Sequence, residues 1–128
     1  MIERISPPGA PAPRGPYSPA VRAGDYIFVS GQIAVDPITN ETKLGDIQSE
    51  TRQVLNNIKN ILEGCGSSLA DVVRCGVYLT NVGDFQPMNE IYSEFFGSAK
   101  PARTTIIVAS LPLKEAKIEI DAVAYKPA

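Results

Sequence analysis

Residues Lys117–Ala124 alternate so regularly that they fit a β-strand with one dry face and little else. Ile118, Ile120, Ala122 and Ala124 fall on one side; Glu119, Asp121, Val123 and Tyr125 fall on the other. Successive strand side chains point to opposite faces of a sheet, so one face must be covered while the other mixes carboxylates with apolar groups. The preceding strand, Arg103–Ala109, alternates likewise: Thr104, Ile106 and Val108 oppose Arg103, Thr105, Ile107 and Ala109. Two helices are available as the cover. Ile47, Thr51, Val54, Leu55, Ile58, Ile61 and Leu62 recur at helical spacing, with Asp46 as N-cap and Gly64 or Gly66 as the stop. A second stripe, Phe85, Met88, Tyr92, Phe95 and Phe96, follows a cap at Asp84 and ends at Gly97.

Three further stretches read as strands: Ile2–Ile5, Tyr26–Gln32, and Val72–Thr80 with Val73, Cys75, Val77 and Leu79 on one face. Ser30-Gly31 marks a bulge or a close backbone approach, because glycine weakens a strand interior. The order β-β-β-α-β-α-β-β, which counts one further strand before the first helix with no residues assigned to it, predicts one α+β domain over residues 1–128, with both helices on one face of the sheet. The second face is then expected to gather Ile107, Val123 and Tyr125 beside Arg103, Glu119 and Asp121. That mixture is too apolar to leave in water and too charged for a monomer's core. It predicts a subunit interface with a polar cleft, and therefore a homo-oligomer.

The chemistry open to the chain is narrow. It has no histidine, which excludes a Ser-His-Asp or Cys-His nucleophile, a histidine general base and histidine zinc sites. Twelve Lys+Arg against 14 Asp+Glu, net −2, leave no broad basic footprint for nucleic acid. The two cysteines form no CxxC pair. Cys75 reads as a small core residue, and Cys65, between two glycines, has no histidine to activate it. No secretory signal or membrane-length apolar run is present, so a cytoplasmic setting is expected.

Four features carry more than one reading. Six of the 11 prolines lie in the first 19 residues, a segment that is either a solvated linker or a rigid loop presenting Tyr17. Asn89, on or beside an apolar helix face, is either a structural amide or a side chain reaching a cleft. Arg103, whose guanidinium fork matches a carboxylate, either pairs with Glu119 structurally or grips an anionic substrate. In that second version Glu119 orients or deprotonates a water.

Gly15-Pro16-Tyr17, Val29-Ser30-Gly31-Gln32, Asn89-Glu90-Ile91-Tyr92, Pro101-Ala102-Arg103 and Lys117-Ile118-Glu119-Ile120 occur in that order along the chain. Together they closely resemble the Rid family of reactive intermediate deaminases, also called YjgF or L-PSP, over essentially the whole length. The resemblance implies a chorismate-mutase-like α+β fold, assembled as a homotrimer with a β-barrel-like core and clefts between subunits. It implies a 2-iminobutanoate/2-iminopropanoate deaminase, which hydrolyses reactive enamines and imines to 2-keto acids and ammonia. Carried onto this chain, Arg103 binds the substrate carboxylate, helped by the backbone N–H groups of Gly31 and Thr105. Tyr17 and Ser30 line the cleft, Asn89 supports it, and Glu119 holds the attacking water. No metal or organic cofactor is implied, since a protonated imine is already strongly electrophilic.

The chain departs from the family pattern at three points. Thr105 stands where bacterial members often have cysteine, Thr104 is larger than the usual residue after the arginine, and Asp121 replaces a commoner glutamate. Three alternatives remain beside the deaminase: an endoribonuclease or translation inhibitor acting on RNA, a non-catalytic ligand-sensing trimer, and, by fold analogy alone, a chorismate mutase.

Overall fold

The computed structural model describes residues 1–128. In chain order the elements are β1 (Ile2–Ile5), β2 (Ala20–Ala23), β3 (Tyr26–Gln32), α1 (Ile47–Gly64), β4 (Val72–Leu79), α2 (Phe85–Phe96), β5 (Ala102–Ile107) and β6 (Ile118–Tyr125). The strands form one mixed sheet in the order β1-β2-β3-β6-β4-β5. Only β4 and β5 pair in parallel, and α2 provides the long crossover that such a pair needs. The expected α+β architecture, two helices on one sheet face, is what forms. No helix is long and apolar enough to cross a membrane.

The dry face of β6 is fully buried, as its alternation requires: Ile118, Ile120, Ala122 and Ala124 pack with Ile27 and Val29 of β3 and Cys75, Val77 and Leu79 of β4. Against them α1 lays Val54, Leu55, Ile58, Ile61 and Leu62, all without solvent exposure. Each such side chain contributes about 1.5–3 kcal/mol of transfer free energy. Asp46 caps α1 as expected, its carboxylate accepting the Ser49 N–H at 2.8 Å. Three polar residues of α1 are buried in the dry layer, and the Thr51 hydroxyl donates to the Ile47 carbonyl of its own helix at 2.7 Å. Asn57 donates to the Val35 carbonyl at 2.8 Å, and Glu50 accepts the Lys117 N–H at 2.9 Å.

Several expectations change on contact with the backbone. A register shift between Val72 and Arg74 turns Val73 out to solvent, so Val72 takes its place on the core side. Asp84 makes no capping hydrogen bond; instead Asn81 accepts the Gly83 N–H, capping a 3-10 turn that runs straight into α2. The proline-rich segment is no solvated linker. Pro7, Pro11 and Pro19 are buried, and a Cβ added at Gly64 would collide with the Pro7 ring.

The most consequential change concerns β5. Its two faces alternate as read, but the phase relative to the helices is inverted. Arg103 stands beside core-facing Cys75, and Thr105 beside Val77, so both point to the helix side. Thr104 and Ile106 take the open side, where Arg74 donates to the Thr104 hydroxyl at 3.1 Å. The open face therefore gathers Tyr26, Phe28, Tyr78, Ile106, Glu119, Asp121, Val123 and Tyr125, without Arg103 or Ile107. Tyr26 and Tyr125 meet there edge to face with ring centroids 5.3 Å apart.

Candidate active site

Glu119 stands at the wall of a cavity of about 470 Å³ on the open side of the sheet. The register of β3 against β6 shifts between Val29 and Gln32, the bulge expected at Ser30-Gly31. That shift carries the Gly31 backbone against the Glu119 side chain: a Cβ at position 31 would sit 2.9 Å from the carboxyl carbon. Any residue but glycine would push the carboxylate aside. Ser30 donates its hydroxyl to the Ser18 carbonyl at 2.6 Å, and its N–H to Pro19 at 3.0 Å. These two bonds hold the Tyr17 loop against β3. Tyr17 accepts the Arg14 N–H at 3.2 Å, which leaves its own hydroxyl proton free to donate. Tyr17, Ser30, Gly31 and Glu119 thus line one cavity, with Gln32 and Arg14.

The electrostatics of this wall are set by two carboxyls on one strand face. Burial first, and the Asp121 charge second, push the Glu119 carboxyl above its ordinary range. Asp121 is itself held by the Gly76 N–H at 2.9 Å and the Tyr78 hydroxyl at 2.9 Å. The Tyr78 phenol is pushed up because it donates to that carboxylate.

Arg103 belongs to a second cluster on the other side of the sheet. Its guanidinium lies over the Tyr92 ring, 4.7 Å from the centroid, and 5.7 Å from that of Phe85. No carboxylate comes within ion-pair distance of it. Asn89 falls between Phe85 and Tyr92 along α2, and its buried Oδ1 has no hydrogen-bond partner. The Tyr92 hydroxyl is also buried without a partner, beside the Cys75 thiol. Burial raises the phenol strongly and lifts the thiol to about 11, so both stay protonated at neutral pH. Thr105, half-buried, follows Arg103 on the same face of β5.

The seven candidate residues therefore fall into two groups. Tyr17, Ser30, Gly31 and Glu119 meet at the cavity; Arg103, Asn89 and Thr105 lie on the helix side, at the edge strand. Arg103 and Glu119 do not form the ion pair weighed above. Sequence reasoning missed Phe85 and Tyr92 as the aromatic cradle of Arg103, having read them as core. It also missed Arg14 and Gln32 as lining residues, and Asp121 as the group that perturbs Glu119.

A model of the family described as Endoribonuclease L-PSP matches residues 8–126. The chain belongs to the Rid family, also called YjgF or L-PSP. A RutC family protein of Pyrococcus horikoshii is 53% identical over 126 residues, covering 98% of this chain and 99% of its own. The 2-iminobutanoate/2-iminopropanoate deaminase of Dermatophagoides farinae is 43% identical, covering 93% of this chain and 92% of its own. Among solved structures, Escherichia coli TdcF with bound serine is 38% identical with a TM-score of 0.90, covering 97% of this chain and 98% of that one. Each Rid motif quoted above occupies a definite place in the fold. The first two and the last face the cavity, and the middle two build the Arg103 cluster.

Proposed function

We propose that this Rid-family chain is a 2-iminobutanoate/2-iminopropanoate deaminase, working as a cytoplasmic homotrimer whose clefts join the Glu119 cavity of one subunit to the Arg103 cluster of the next. One observation carries the reading: an unpaired guanidinium and an unpaired amide oxygen stand on one side of the sheet, and an elevated carboxyl in a cavity stands on the other. Each is half of a site for a small molecule bearing a carboxylate and a hydrolysable carbon. The deaminase name of one relative and the serine bound to another are consistent with a substrate of that size and charge.

The chemistry follows from the residues. Arg103 binds the substrate carboxylate bidentately, and Asn89 supplies a neighbouring acceptor. Water adds to C2 of the protonated imine as Glu119 accepts its proton. The resulting carbinolamine passes a proton to nitrogen, the C–N bond breaks, and a 2-keto acid and ammonia leave. A carboxyl raised toward neutrality suits this exchange, because it can take and return one proton. RNA cleavage, which the family model's description also names, finds neither a histidine nor a net positive charge here.

The test is a coupled assay in which a dehydratase releases the imine and semicarbazide traps what survives. The protein should reduce trapping. Unchanged trapping across several amino-acid precursors would overturn the reading. The pH profile adds a second check. On the acid side kcat/KM falls as Glu119 protonates, with a midpoint above the ordinary carboxylate value. Asp121→Asn removes the like charge while keeping an acceptor for Gly76, so ionisation becomes easier and that limb moves to lower pH. A limb that stays in place assigns the ionisation to another group.

A further inference from the structure

We infer that the Glu119 cavity holds a second carboxylate subsite at Arg14, which extends the substrate class to dicarboxylic 2-imino acids. The inference rests on the deaminase reading and names a substrate class for the same site. Of the 13 residues lining the cavity, Arg14 is the sole cation and Glu119 the sole anion. Arg14 has no carboxylate partner anywhere in the chain. A guanidinium offers five N–H donors, and Arg14 places one hydrogen bond, from Nη2 to the Asn40 carbonyl at 2.9 Å. That bond steadies the head and leaves the rest of the fork unengaged.

The backbone around Arg14 is also held in place. Its backbone N–H is fixed on the Tyr17 hydroxyl. Two residues earlier, the Ala12 N–H is fixed on the Asn40 side chain at 3.1 Å. Asn40 itself sits in the left-handed region at φ 62°, a conformation asparagine tolerates better than most residues. Pro13 and Pro16 restrict the chain on either side. The loop therefore presents Arg14 with little entropy left to lose on binding. Arg14 and Glu119 also line one and the same cavity, of about 470 Å³ before a second subunit closes over it. With the C1 carboxylate on Arg103 and C2 at Glu119, a longer side chain that runs along this wall reaches Arg14, the group that can neutralise a carboxylate at its end.

The test compares 2-iminosuccinate with 2-iminopropanoate, each generated in situ by oxidation of the parent amino acid and followed by semicarbazide trapping. The protein should consume both, giving oxaloacetate or pyruvate and ammonia. Arg14→Leu should lower the ratio of kcat/KM, dicarboxylic over monocarboxylic, about tenfold, the value of one charge-assisted hydrogen bond. Arg14→Lys should recover part of the ratio. In calorimetric titrations Arg14→Leu should weaken 2-oxoglutarate binding more than 2-oxobutanoate binding. An unchanged ratio, or equal losses on both substrates, overturns the subsite and leaves Arg14 as a brace for Asn40. Activity on 2-iminopropanoate but not on 2-iminosuccinate also sinks this inference alone. Activity on neither sinks the deaminase reading itself.

Discussion

Mixing Arg103→Ala protein with Glu119→Gln protein should restore imine hydrolysis that neither has alone. Each substitution by itself should reduce kcat/KM about 100-fold or more. Truncating one partner of a desolvated, hydrogen-bonded charge pair costs roughly 2–5 kcal/mol, and a water left without its carboxylate loses a comparable share of the barrier reduction. The recovery on mixing follows from the two faces of the sheet. Arg103 lies under Phe85 and Tyr92 on the helix side, whereas Glu119 lies against Gly31 on the open side. One chain cannot fold the two onto one small molecule without undoing β5. A cleft that takes its arginine from one subunit and its glutamate from the next escapes that constraint. When the variants are unfolded together and reassembled in equal amounts, about a quarter of such clefts receive both native residues. Activity should rise toward that fraction of wild type. A mixture that co-assembles and stays as inactive as its components would refute the shared cleft. A monomer by light scattering at micromolar concentration would do the same.

How far the residues alone reach is clearest on β5 and β6. The alternation of β6 is a local property with a period of 2, so its buried face could be read directly. The same alternation in β5 divides the residues into two sets without saying which set meets the helices. Hydrophobicity gives the wrong answer, because Arg103 is charged and yet lies on the helix side. There its guanidinium lies over aromatic rings contributed by α2, a contact that spacing along the chain does not encode. Val73 fails for a related reason. A bulge inserts one residue into the count, and every alternation read across it slips by one. The bulge at Ser30-Gly31 was legible because glycine marks it. What demanded it, the Glu119 side chain 88 positions later, was not. The proline-rich segment was ambiguous since composition records stiffness and not what the stiff chain leans on. Its anchors, Asn40 and the bulge at Ser30, lie outside it.

Replacing Glu50 with alanine should be among the most destabilising single changes in the molecule. Glu50 is fully buried and accepts three hydrogen bonds: from the Lys117 N–H at 2.9 Å, the Gly45 N–H at 3.1 Å and the Lys117 ammonium at 3.4 Å. Periodicity puts it on the inner face of α1, three residues after Ile47, yet nothing nearby in the chain explains a carboxylate there. Its partner is 67 positions away. Lys117 keeps 41% of its side-chain surface in water, so the ammonium loses little when the carboxylate goes. Of the two backbone N–H groups, that of exposed Gly45 can turn to water, whereas that of half-buried Lys117 has less access to it. An unpaired donor costs about 1–3 kcal/mol, and truncating the buried side chain adds a cavity cost. A loss of about 3 kcal/mol is expected, which lowers Tm by roughly 10 °C for a chain of this length. Glu50→Gln keeps one acceptor for Lys117 but turns an amide donor toward Gly45 or the ammonium, so about half the loss should remain. Thermal melts at matched protein concentration would measure both, since assembly makes Tm depend on concentration. An alanine variant melting within about 1 °C of wild type would show that water or a shifted loop satisfies those N–H groups. The same bonds join the start of α1 to the start of β6, two residues before Glu119. Glu50→Gln should therefore lower kcat for imine hydrolysis more than it raises KM, because Arg103 and its aromatic cradle lie outside its reach.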